Sequence, residues 1–178
     1  LLNRFFKKLN TKRKSLSVTK KTLNFYLTKL KDPQVRKLYK VFLNNLSSLN
    51  IRKKRIMVGV SGGADSLSLL FFSQCYALKN MIKLYPVIID HKLRKESTNE
   101  AENLKFKLKK NFKINCKILS KRISKIDQNI QSYARDLRYD LFLKECNKYK
   151  IDCLLLGHHK DDLIENFFIR LLRGSGLK

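Results

Sequence analysis

The sequence predicts an α/β fold, a parallel sheet with helices on both faces, preceded by a basic helical extension. Three observations predict it. Short apolar runs alternate with longer amphipathic stretches from Ile56 onward, the pattern of strands joined by helical crossovers. A Gly-rich turn stands between the first run and the helix after it. Three polar clusters, at Ser61–Ser66, Asp90–Arg94 and His158–Asp162, each follow an apolar run. In open parallel sheets ligands bind beyond the C-terminal ends of the strands, so the clusters are expected to converge on one cleft.

Residues 1–20 are basic, carry Ser, Thr and Asn, and lack periodicity, which predicts disorder. From Lys21 to Leu49 apolar residues recur at Leu23, Tyr26, Leu27 and Leu30, then at Val35, Leu38, Phe42, Leu46 and Leu49. This predicts two amphipathic helices broken at Asp32 and Pro33, with Pro suited to a first helical position. Their polar face is almost wholly Lys and Arg. Such a face can lie on RNA or on a membrane surface, serve as an organelle presequence, or simply be solvated.

Ile56–Val60 is the first predicted strand. It stops at Ser61, Gly62 and Gly63, and Leu67, Leu69, Leu70, Phe71 and Phe72 then begin a helix. A strand, a Gly-rich turn and a helix N-terminus together form an anion site, because unpaired N–H groups and the positive end of the helix dipole face the turn. The spacing fits neither a Walker loop nor a Rossmann fingerprint. The hexapeptide Ser61, Gly62, Gly63, Ala64, Asp65, Ser66 resembles the pyrophosphate loop of ATP pyrophosphatases. Ser-Gly-Gly by itself would read as an ordinary turn capped by Asp65.

Leu84–Ile89 is the second predicted strand. Ser97 to Glu100 has the spacing of a capping box, opening a helix to about Phe112. Ile114–Leu119 is a third strand, 128–149 a helix, Cys153–Leu156 a fourth strand and 162–172 a last helix. The expected domains are a basic extension over 1–54 and a catalytic domain over 55–178. Leu1 in place of Met, and an end at Lys178 without a closing element, point to a piece of a longer protein, truncated at its C-terminus.

The charge is extreme: 40 Lys+Arg against 14 Asp+Glu, a net +26, with 17 basic and one acidic side chain in residues 1–55 alone. That excess points to a polyanionic partner, nucleic acid before membrane. Cys75, Cys116, Cys146 and Cys153 form no C-x-x-C pair, so a zinc knuckle or thioredoxin-type motif has no support. Reduced thiols in a cytosol-like compartment fit. No run approaches the ~20 apolar residues of a spanning helix, so no stable membrane association is expected.

The remaining clusters carry open alternatives. Asp90 could accept from a ribose hydroxyl or hold a metal, and Arg94 could meet a phosphate; a plain polar loop is the other reading. Arg135 and Arg138 are three apart on a predicted helix and could clamp a phosphate or a nucleic-acid backbone, or be surface arginines. His158, His159, Asp161, Asp162 and Glu165 are the densest polar group. Adjacent histidines point apart, which disfavours a transition-metal cage, and Mg²⁺ shared between a carboxylate and ATP phosphates fits better.

In this order the segments resemble the N-terminal catalytic domain of the tRNA(Ile)-lysidine synthetase family. They are Ser61–Ser66; Asp90 to Arg94 with Ser97, Glu100 and Ala101; Ala134 to Tyr139; His158 to Asp162 with Glu165; and Arg170 to Gly176. The likeness covers about residues 55–178. Lys92 stands where the family usually has Gly, and Leu163 and Asn166 where it has Gln and Thr. The basic segment 1–50 lies outside it, and the family's C-terminal tRNA-binding domains would fall beyond residue 178.

The resemblance implies an adenine nucleotide alpha hydrolase-like domain that uses ATP and Mg²⁺. It implies a ligase joining free L-lysine to carbon-2 of the wobble cytidine of tRNA(Ile) with a CAU anticodon, through an adenylated tRNA. Gly62, Gly63 and neighbouring amides, with the Ser61 and Ser66 hydroxyls, would hold pyrophosphate. Asp65 and Asp162 would hold Mg²⁺ or the lysine ammonium. His158 and Glu165 would handle protons, and Arg135 and Arg138 would counter phosphate or tRNA charge. A cytoplasmic enzyme is expected, with an organelle of bacterial origin as the alternative and a homodimer left open. A tRNA thiolase or a non-catalytic RNA-binding module are the competing readings.

Overall fold

The computed structural model describes residues 20–47, 49, 55–121, 130–151 and 153–157. The chain divides into two compact units, Leu1–Val41 and Phe42–Lys178. In the first, α1 (Lys20–Lys29) is followed by α2 (Pro33–Ser47), which continues into the second unit. The break falls at Asp32 and Pro33, as the sequence predicts. Asp32 Oδ1 accepts from the N–H groups of Gln34 (2.8 Å) and Val35 (3.0 Å), satisfying two donors that a helix start leaves orphaned. Pro33 occupies the first position, where its missing N–H costs nothing.

The second unit contains a four-stranded, wholly parallel sheet in the order β3-β2-β1-β4. The strands are β1 (Arg55–Gly59), β2 (Lys83–Asp90), β3 (Lys117–Ser120) and β4 (Cys153–Leu156). Helices α3 (Ala64–Asn80), α4 (Ser97–Lys107) and α5 (Ile130–Tyr149) form the crossovers. Ile56, Met57 and Val58 are all 0% exposed. Because successive strand residues face opposite sides, both faces of β1 are covered. Met57 packs with Val87 and with Phe142 of α5. Phe42, at 5.9 Å from Phe72 and 6.4 Å from Tyr76, seats the end of α2 against α3.

Two details explain where the elements stop. Val87 offers its carbonyl to the Val60 N–H, so Pro86 faces the other side of β2. Pairing with β3 begins only at Val87 and Lys117, and Pro86 therefore removes no ladder bond there. The helix begun by α4 runs to Phe112 as expected, but its last turn, Leu108–Phe112, is a π-helix closed by left-handed Lys113. Ile114 is buried and its N–H reaches back to the Leu108 carbonyl, so β3 starts three residues later than the apolar pattern predicts.

The chain runs outward from β1 through β2 to β3 and then returns to the other side of β1 at β4. The order therefore reverses beside the C-terminal end of β1, where a ligand crevice is expected in such a sheet. No helix among the described residues is long and apolar enough to cross a membrane.

Candidate active site

The loop after β1 is shaped by glycine. A Cβ on Gly59 would lie 2.6 Å from a Leu156 methyl and 2.7 Å from the Phe142 ring, so β1, β4 and α5 meet there only without one. Gly62 has φ +92°, a conformation that costs other residues 1–2 kcal/mol or so. Gly63 is the extended residue before α3, with no side-chain cap. Asp65 is exposed in the first turn of α3, where its charge favours the helix N-terminus.

Ser66 is the latch of this loop. It is 3% exposed. Its hydroxyl donates to the Gly63 carbonyl (2.9 Å) and accepts from the Ser61 N–H (3.2 Å). The Ser61 hydroxyl, 3.1 Å away, is then oriented to donate to Ser66 Oγ. Both hydroxyl protons are thus used inside the loop. The donors left to meet an anion are the backbone N–H groups that open α3, which have no intrahelical partners.

A cleft of about 520 Å³ opens beside the loop, lined by Ser61, Gly62 and Ser66 on one wall and by the segment after β2 on another. Asp90, only 2% exposed, organises that second wall. Its carboxylate accepts from the Lys92 N–H (2.9 Å) and the Ser97 hydroxyl (2.8 Å) on one oxygen, and from the Thr98 hydroxyl (2.7 Å) on the other. Burial pushes the carboxyl up, but the bonds from Thr98, Lys92 and Ser97 outweigh it and hold the group below its usual range. The predicted capping box is corrected here. The residue before α4 is Glu96, in helical conformation with no cap bond. The Glu100 N–H donates to the Glu96 carbonyl (2.9 Å), the Ser97 hydroxyl donates to Asp90, and the Glu100 carboxylate faces Arg94 (3.3 Å).

Lys92 has φ +50°. The position where the resembling family usually has Gly is one where a side chain is strained. His91 and Arg138 both line the cleft. His91 Nδ1 and Arg138 Nε are buried with no hydrogen-bond partner among the described residues. Burial and the nearby Arg138 charge outweigh Asp90 and hold His91 below its ordinary value, so its ring is neutral at neutral pH. Sequence reading missed His91; its place directly after a strand, beside Asp90, was the available signal.

Of the other predicted residues, Arg94 lines the cleft with an exposed guanidinium. Arg135 does not line it; its guanidinium lies 5.9 Å from the Tyr139 ring. The shared face predicted for the two arginines thus delivers only Arg138 to the cleft. Gly63, Ala64 and Asp65 complete the loop and are exposed. His158, Asp162 and Glu165 lie outside the described residues, as does the 170–176 turn. Gly157, which leads into them, lines the cleft, and a Cβ there would come within 2.8 Å of the Ser66 backbone nitrogen. Two of the three predicted clusters therefore share one cleft, and Gly157, the residue before the third, lines it too.

Among the described residues no group of three or more His, Cys, Asp or Glu could hold a metal ion. Asp65 offers a single exposed carboxylate beside the loop, which suits a Mg²⁺ that takes its other ligands from phosphates and water. None of the four cysteines is in a disulfide, and burial pushes the Cys75 and Cys116 thiols up to about 12.

A PP-loop domain family profile matches residues 31–178. The chain is 37% identical over 145 residues to the tRNA(Ile)-lysidine synthase of Rickettsia rickettsii (strain Sheila Smith), covering 79% of this chain and 30% of that protein. It is 37% identical to the same enzyme of Rickettsia prowazekii (strain Madrid E), covering 79% of this chain and 33% of that one. The chain thus spans about a third of the length of these relatives. Among solved structures, the U34-tRNA thiolase NcsA from Methanococcus maripaludis with its [4Fe-4S] cluster superposes with TM-score 0.62 at 19% identity, over 79% of this chain and 50% of that one. At that identity the likeness is one of fold.

Proposed function

The chain belongs to the PP-loop domain family, and from that premise we propose that it forms lysidine on tRNA(Ile). ATP activates carbon-2 of the wobble cytidine of the CAU anticodon, and free L-lysine is then joined to it. The observation that carries the reaction class is the cleft, whose lining joins a glycine-shaped loop at a helix N-terminus with Arg138. The choice of substrate is supported by the relatives named for lysidine synthesis and by the net charge of +26.

The base oxygen attacks the α-phosphate and the bond to pyrophosphate breaks. The ε-amine of lysine, having lost a proton, then bonds to carbon-2 and AMP leaves with its electron pair. The amides around Gly62, Gly63 and Ala64 hold the departing pyrophosphate, supplying fixed dipoles where charge develops. Arg138, which lines the same cleft, counters phosphate charge. Asp65, with Asp162, would hold Mg²⁺, which when bound neutralises the phosphates. His158 and Glu165 are assigned to the lysine amine and its proton. The domain is read as residues 55–178 with a basic extension before it, and the compartment as cytoplasmic.

A thiolase reading gains little from the donor set, since none of the four cysteines lines the cleft. The test is pyrophosphate release with ATP, lysine and unmodified tRNA(Ile), omitting each in turn. Sustained release that requires all three, with lysine incorporated into tRNA, is expected; without lysine, release should stop at one equivalent as adenylated tRNA accumulates. Sustained release without need of lysine would overturn the ligase reading, and RNA binding without turnover would leave a binding module.

A further inference from the structure

The opposite end of the sheet carries a second organised group. Lys83 opens β2 and Lys117 opens β3, while Lys148 and Tyr149 end α5. The Tyr85 and Tyr149 rings lie 5.1 Å apart at 33°. Lys83 Nζ sits 5.1 Å from the Tyr85 ring centre, and Lys117 and Lys148 sit 5.5 and 5.7 Å from that of Tyr149. Three ammonium groups therefore crowd a two-ring stack. Glu145, buried, pairs with Lys117 and holds its ammonium above the ordinary value. No carboxylate among the described residues forms an ion pair with Lys83 or Lys148. Asp152, near in sequence, lies outside the described residues.

This ledge is not part of the cleft. β2 runs from Lys83 to Asp90, and at a strand's rise per residue its two ends are about 23 Å apart. Like charges held together on aromatic faces repel one another, and a multivalent anion relieves that repulsion. Lysine is a point charge suited to phosphates rather than to base edges. A membrane surface fits less well, because such sites set large apolar side chains beside the lysines. Among the described residues, the exposed large apolar side chains, Leu38, Val41, Leu49, Leu93, Phe106 and Leu143, do not include members of this stack.

We propose that the Lys83, Lys117 and Lys148 ledge around Tyr85 and Tyr149 is a second RNA contact, seating backbone phosphates independently of sequence. The inference rests on the reading that the partner is RNA, but not on lysidine chemistry. The test measures binding of unmodified tRNA(Ile), and of an unrelated tRNA, to the full chain across a salt series. Lys83→Ala/Lys148→Ala is compared with wild type and with Lys107→Ala/Lys109→Ala, a pair of exposed lysines on α4 and its last turn. Lys117 is left in place so that Glu145 keeps its partner.

The ledge variant is expected to bind both tRNAs about tenfold more weakly, with a salt slope shallower by about two phosphate contacts. Its ATP affinity and thermal midpoint should match wild type. Unchanged RNA affinity, an equal loss in the control pair, or loss of anionic phosphatidylserine vesicle binding in place of RNA binding would overturn the proposal. If lysine-dependent product is absent while RNA binding still depends on Lys83 and Lys148, the ledge stands and the lysidine reading fails.

Discussion

The loops that follow β1 and β2 flank the same cleft and use opposite halves of the chain. In Ser61–Ser66 the side chains turn inward, with Ser66 bonding Gly63 and Ser61, and the backbone is presented to a ligand. In the loop after β2 the backbone is held by a side chain, since Asp90 gathers Lys92, Ser97 and Thr98, and side chains such as His91 and Arg94 are presented. The comparison teaches that a polar residue in a site motif need not touch the ligand. Ser66 and Asp90, the most buried polar residues of the two loops, are the ones that shape the others.

The largest effect should come from breaking the backbone loop itself. Gly62→Val places a branched side chain at φ +92°, where a bare Cβ already lies 3.3 Å from Leu104. Pyrophosphate release should fall more than 100-fold, by about 3 kcal/mol or more in transition-state terms. A far-ultraviolet spectrum like wild type would separate this from unfolding. Activity within tenfold of wild type would remove the loop from the mechanism.

Asp90→Asn tests the second loop. Losing a buried charge that accepts three bonds should cost roughly 1–3 kcal/mol in urea unfolding. The Asp90 carboxyl is held below its usual range in the folded state, so its contribution is complete above the unfolded value. It is lost as pH falls through the lower folded value. The gap between wild type and Asp90→Asn should therefore be widest at neutral pH and close in strong acid. A gap that widened on acidification would show that Asp90 is not held in this way.

Ser66→Ala should cost about 1 kcal/mol, a neutral buried hydrogen-bonding group, and weaken ATP binding with it, because the loop amides lose their brace. Lys92→Gly should act in the other direction. Relief of strain at φ +50° should stabilise the domain by up to about 1 kcal/mol, read as a higher unfolding midpoint, less the entropy that glycine returns to the unfolded chain. Smallest of all is Arg94→Ala. Its ion pair with Glu100 joins two well-exposed side chains, and such pairs contribute about 0–1 kcal/mol. Any large loss of ATP affinity in that variant would have to come from a phosphate contact, which would sharpen the contrast between presented and scaffolding residues.

Much of this was legible in the sequence because it depends on near neighbours. Alternation of short apolar runs with amphipathic stretches located all four strands. The Asp32–Pro33 break followed from what a helix start requires of its first residues. The glycines of the loop announced the turn between β1 and α3, where Gly62 has φ +92°. The capping-box reading of Ser97 failed for an equally physical reason, since local spacing reports which bonds are available and not which partner wins. The Glu100 N–H that the box would engage goes to the Glu96 carbonyl, one residue before Ser97, and the Ser97 hydroxyl donates to Asp90 at the end of β2.

The sequence by itself determined the class of fold, the place of the anion loop and the direction of the charge, all set by periodicity, turn chemistry and composition. Only the tertiary structure decided which polar groups face the cleft. α4 rests Leu104 against Gly62, Gly157 at the end of β4 closes on the start of α3, and Phe142 fills the space that Gly59 leaves. Those contacts join residues far apart in the chain. Their outcome is fixed by shape and by the exclusion of water, which no local pattern of residues records.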